Sequence, residues 1–115
     1  MIGTPNAGSP LADFTISSNS DPFCPAVRDL TTYATHIKNI QDNINTRYCT
    51  IAGECLPYLA NPFGVIIIPE PNDGLVGVSS VQSHYDSLGL SPNCHNQLLG
   101  DYEYGLAYEV LSGRR

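Results

Sequence analysis

The chain has 115 residues, enough for one domain with one core and too few for two. It is 42% hydrophobic and 14% charged, a globular composition that excludes intrinsic disorder. A net charge of −6 with only five Lys and Arg argues against nucleic acid or an anionic membrane as partner, because few cations are present to neutralise phosphates.

No apolar run approaches the roughly 18 residues of a membrane-spanning helix, so no transmembrane segment is expected. Met1-Ile2-Gly3-Thr4-Pro5 has neither a basic n-region nor an apolar h-region and is not read as a signal peptide. Cys24, Cys49, Cys55 and Cys94 permit one or two disulfides, with three possible full pairings. Scarce lysine alongside much Asn, Ser, Gly and Tyr fits an extracytoplasmic enzyme better than a cytosolic one.

Taken in order, Ile2 to Pro10 reads as the end of a strand running into a Gly/Pro turn. Residues 11–24 are rich in Ser, Asn, Asp and Pro and read as an irregular surface segment, with Phe14, Ile16 and Phe23 as its apolar exceptions. Helical spacing begins after Pro25 and places Val27, Leu30, Ala34, Ile37, Ile40 and Ile44 on one face. Thr31 and Thr32 interrupt it, so the expectation is a short helix at 26–30 and a longer one at about 33–44 capped by Thr32.

Arg47 to Gly53 is rich in strand-forming residues and stops at glycine. Residues 54–64 read as a loop, and Val65-Ile66-Ile67-Ile68 as a buried strand, with an edge position as the alternative. Val76, Val78 and Val81 follow on an alternating pattern. Residues 82–92 read as a polar turn region with an apolar patch at Leu88 and Leu90. The last element is a helix with Asp101 as N-cap, Glu103 in its first turn and Gly113 as its stop. Its expected buried stripe is Tyr102, Leu106, Ala107, Val110 and Leu111. This order of strands and helices fits part of an α/β domain with parallel strands and flanking helices.

Asp73-Gly74 by itself is a turn dipeptide, and His84 or His95 by itself is most simply structural. Their order is more informative: an acid lies in a loop after an apolar strand, and a histidine follows before the final helix. Asn72-Asp73-Gly74-Leu75-Val76-Gly77-Val78-Ser79-Ser80 resembles the acid loop of the lipase and esterase branch of the α/β-hydrolases, and Cys94-His95-Asn96-Gln97-Leu98-Leu99-Gly100 resembles that branch's histidine loop. Ile2 to Ala12 is similar to the segment after its nucleophile region. Pro25 to Thr31 is similar to the helix start after its lid, and Arg47 to Gly53 to the strand before its acid. The matches keep the family's order and span nearly the whole chain.

The resemblance implies the C-terminal part of such a fold over residues 1–115, with 11–24 at the position of a lid or acyl pocket. It implies that Asp73 holds the imidazole and that His95 relays a proton, in the hydrolysis of a lipid or other carboxylic ester. The family needs no cofactor for this. Some calcium-dependent bacterial lipases carry an aspartate just beyond the histidine; Asn96 and Gln97 stand there, so no calcium site is carried over.

No Gly-x-Ser-x-Gly occurs, and Gly77-Val78-Ser79-Ser80-Val81 is the nearest sequence. The implied role is therefore that of a fragment supplying acid and histidine, inactive until an N-terminal portion completes it. Three alternatives stand beside this. A cysteine could serve as nucleophile with His95 as base, although Cys94 is its sequence neighbour and would point away. A zinc site would need ligand spacings that are absent here, since there is no C-x-x-C and no H-x-x-x-H. A non-catalytic binding or assembly module could retain part of a hydrolase fold.

Overall fold

The computed structural model describes residues 1–18, 25–34 and 41–115. Its elements run α1 (Pro10–Ser17), α2 (Pro25–Asp29), β1 (Cys49–Gly53), β2 (Leu59–Ala60), β3 (Ile66–Ile68), α3 (Val78–Gln82), β4 (Asp86–Ser91), a 3-10 turn (His95–Gln97) and α4 (Asp101–Leu111).

Strand β1 is where the packing converges, and four of its five residues, Thr50 to Gly53, are buried. On one side it pairs in parallel with β4. On the other it bridges in parallel to Ile2, with Ile51 N–H donating to Met1 C=O at 3.0 Å and Gly3 N–H donating to Ile51 C=O at 2.9 Å. Ala52, Val76 and Val81 form a buried apolar cluster against which Val78 packs, so α3 covers a face of β1. Helix α4 lies beside β4, while α1 packs against α2 and β3.

The strand expected before Gly53 and the short helix after Pro25 are both present, each within two residues of the expected bounds. Other expectations need correction. Residues 10–17 are a helix, because Ser9 Oγ accepts from Leu11 N–H at 3.2 Å and Pro10 occupies the first turn, where its missing N–H costs nothing. Residues 19–24, including Phe23 and Cys24, lie outside the described residues, as do 35–40 in the middle of the helix expected over 33–44. The described flanks of that segment are turn and irregular chain, and Ile44 is 96% exposed.

The Val65–Ile68 run takes the edge alternative and is not a buried parallel strand. It forms one arm of a short antiparallel hairpin with β2, in which Ile68 is buried and Val65 and Ile66 are exposed. Val78 and Val81, read as part of an alternating pattern, lie on a helix. The region read as a polar turn contains β4, whose register slips one residue opposite Thr50 and Ile51, leaving Leu88 without a partner across the pair. On α4 the N-cap is Gly100 rather than Asp101. Tyr102 and Leu111 of the expected stripe are exposed, while Glu103 is fully buried.

Two constraints tie the loops at the carboxyl end of the sheet. Cys55 and Cys94 form a disulfide with Cα atoms 5.1 Å apart, joining the chain just after β1 to the loop that follows β4, and Cys49 is unpaired. Gly53 ends β1 where those loops meet: a Cβ there would lie 2.6 Å from Asn93 O and 2.7 Å from Asp73 Cβ.

Replacing Cys55 and Cys94 together by serine should lower unfolding stability by about 4 kcal/mol, the chain-entropy value for a loop of roughly 40 residues. Denaturant titration with and without reductant checks it, since reductant should shift the wild-type chain and leave the variant unmoved. Gly53→Ala should cost about 1–3 kcal/mol by overpacking, read as a lower denaturation midpoint at unchanged slope.

Candidate active site

Asp73 sits in a loop that is folded onto its own side chains. Asn72 is buried and paired through its backbone with Leu56, while its side chain donates to Glu70 C=O at 2.8 Å and accepts from Gly74 N–H at 2.9 Å. Gly74 adopts φ +97°, a conformation that glycine reaches without strain. The resulting turn aims Leu75 N–H and Val76 N–H at Asp73 Oδ1, at 3.0 and 2.8 Å. One carboxylate oxygen is thus held by the backbone and the other is left for a side chain.

That side chain is His95. Its Nδ1 lies 2.7 Å from Asp73 Oδ2, and its own N–H donates to Asp73 C=O at 2.8 Å. The two residues, 22 apart in sequence, are therefore joined through both main chain and side chain. Asp73 has a side chain with no exposed surface, whereas the His95 side chain is 38% exposed. A carboxylate oxygen can only accept, so the imidazole presents Nδ1–H to it and leaves Nε2 as the ring's basic nitrogen. Among the described residues Nε2 has no hydrogen-bond partner.

His95 lines a cleft of about 450 Å³ whose walls are mainly apolar, with Ile2, Leu11, Val27, Leu30 and Leu75 among them. Gly3 lies directly beneath the pair: a Cβ on it would come 3.4 Å from both Asp73 Oδ2 and His95 Cε1, and its φ is +57°. Sequence reasoning took Gly3 only as part of a turn and Gly53 only as a strand stop. Both are where backbone passes against the Asp–His pair.

A second buried carboxylate stands behind this loop. Glu103 accepts from Ser91 Oγ, from Asn93 Nδ2 at 2.9 Å and from Gly100 N–H at 3.1 Å. Burial acts to raise its pKa, but these hydrogen bonds together with the local backbone outweigh it and hold the carboxyl below the usual glutamate value.

The serines nearest to a nucleophile motif are engaged elsewhere. Ser79 Oγ donates to Glu70 at 2.7 Å, and Ser80 Oγ donates to Gly8 C=O at 2.6 Å. Cys94 and Cys55 are spent on the disulfide, which removes both from the cysteine-nucleophile alternative, and Cys49 opens β1. His84 lies exposed in the turn before β4, with φ 68°.

No protein-family model matches the chain, and no curated protein matches it. Among solved structures it is similar to the crystal structure of a Bacillus licheniformis lipase in its mature form, with a TM-score of 0.63 and 20% identity. The likeness covers 96% of this chain and 52% of that one, so the chain spans about half the length of the lipase it matches. At that identity the likeness is one of fold. The chain has a mixed α/β architecture of parallel strands with flanking helices, corresponding to part of an α/β-hydrolase fold.

Proposed function

We propose that the chain supplies the acid, Asp73, and the base, His95, of a serine ester hydrolase whose nucleophile comes from outside these 115 residues. The observation that carries this reading is the 2.7 Å contact of His95 Nδ1 with a fully buried Asp73 carboxylate, beside an apolar cleft. In the proposed reaction the Asp73 carboxylate keeps the proton on Nδ1 and stabilises the imidazolium that forms. His95 Nε2 takes the proton of a serine hydroxyl as the serine oxygen attacks the ester carbonyl, then returns it to the departing alkoxide. A water molecule, deprotonated in the same way, releases the acid. The apolar cleft suits the acyl part of a lipid or other carboxylic ester.

The open edge of the sheet supports the fragment role over that of a self-contained module. Because Ile51 bonds to Met1 and Gly3, the N–H and C=O of Ile2 face away from β1. No described strand pairs with that side, and among the described residues Ile2 C=O accepts only from Thr4 Oγ1, at 3.5 Å. Residues 1–115 thus form, on this proposal, one incomplete hydrolase domain.

The isolated chain should hydrolyse a short-chain nitrophenyl ester no faster than an equal concentration of free histidine, and a fluorophosphonate serine probe should leave Ser79 and Ser80 unlabelled. Turnover well above that histidine background and abolished by His95→Ala, or stoichiometric labelling of either serine, would show a nucleophile within the chain and defeat the proposal.

A further inference from the structure

Among the described residues, Asp73 and Glu103 are the only fully buried carboxylates, and the proton relay proposed above uses only Asp73. Glu103 is the third residue of α4, where a glutamate commonly accepts from the N-cap N–H, and its Oε2 does so from Gly100. A cap needs nothing more and is normally solvated. Here Oε1 reaches back to Ser91 Oγ and Asn93 Nδ2, 12 and 10 residues upstream, and Ser91 Oγ in turn accepts from Asn93 N–H at 3.1 Å. Ser91 and Asn93 begin the loop that carries His95, and Gly100 ends it. A single carboxylate therefore grips both ends of that loop.

We propose that Glu103 is the positioning residue of His95: its carboxylate clamps the 91–100 loop closed and so fixes the imidazole against Asp73. This rests on the acid–base reading for its functional meaning, but the clamp itself is a matter of geometry. The carboxylate is suited to it because all its partners are donors, whereas a glutamine amide would turn one acceptor into an NH₂ facing a donor. The disulfide at Cys94 fixes the loop on the side of Cys55, and Glu103 fixes it on the side of α4. Sequence reasoning placed Glu103 only in the first turn of the final helix.

The test is proton NMR on the 115-residue chain, following the His95 Nδ1 proton assigned by its loss in Asp73→Asn. In Glu103→Gln that proton should exchange with solvent at least tenfold faster than in the wild type. Ile68→Val, which weakens the buried end of β3 far from the loop in sequence, should lower the denaturation midpoint without changing the exchange. If Glu103→Gln does not fold, Ser91→Ala and Asn93→Ala, each lacking one donor to the clamp, take its place and should each accelerate the exchange. Unchanged exchange in a folded clamp variant, or equal acceleration in Ile68→Val, overturns the proposal. Because the readout is a proton rather than turnover, failure of the ester-hydrolase reading would leave this result standing, and the converse also holds.

The sign of the pH dependence follows from the lowered pKa of Glu103. Its stabilising contribution is fully present above the ordinary glutamate range and is lost as pH falls through the folded-state value. The stability difference between wild type and Glu103→Gln should therefore be largest near neutrality and shrink in acid, as measured by denaturant titration over that range.

Discussion

A carboxylate held away from water, with all its oxygens engaged, is the constraint on which the rest of the molecule depends. Burying an ionised group without partners costs many kcal/mol, so Asp73 can sit beneath the surface only because the surrounding chain is shaped to meet it. Leu75 and Val76 donate to one oxygen and His95 to the other, and the Asn72 turn sets the angle at which they arrive. Without His95, or without both backbone donors, one oxygen of the buried acid is left unpaired. The imidazole, more than a third exposed, forms the boundary between that buried charge and the apolar cleft.

The elements around the pair can be understood as a response to this demand. Gly53 lets backbone pass where a Cβ would lie 2.7 Å from Asp73 Cβ, and Gly3 passes beneath the pair at φ +57°, where a Cβ would meet Leu98 Cδ1 at 2.6 Å. A disulfide and a glutamate secure the His95 loop from opposite sides, one covalently and one through hydrogen bonds. The parallel pairing of β1 with β4 brings the chain just after β1 and the histidine loop to one end of the sheet, and the backbone pairing of Asn72 with Leu56 holds the acid loop there. This is the end at which open α/β sheets commonly place their chemistry.

What could be read from the residues was what local pattern encodes. The strand ending at Gly53, the helix opening at Pro25 and the final helix announce themselves through β-branched runs, a proline at a first turn and a terminal glycine. Strand β4 was hidden, because Asp86 and Ser87 at its start, Gly89 in its middle and a register slip erase the alternation by which a strand is recognised. The isoleucine run misled for the opposite reason. An apolar β-branched run has the same appearance in a buried parallel strand and in a hairpin arm, and only the partner β2 decides which it is.

The candidate site divides in the same way. Asp73 and His95 stand out through their order and their flanking residues, because the geometry they need is carried by loops of recognisable composition. Glu103 does not stand out: an acid in a first helical turn is ordinary, and its burial arises only when Ser91 and Asn93 fold back onto it. The most direct test of the central claim is the tautomer of His95, read from imidazole ¹⁵N shifts at neutral pH. A buried carboxylate that holds the imidazole for base chemistry requires Nδ1 protonated and Nε2 bare in the wild type, with that preference lost in Asp73→Asn. A wild-type imidazole protonated on Nε2, or one indifferent to Asp73→Asn, would contradict it.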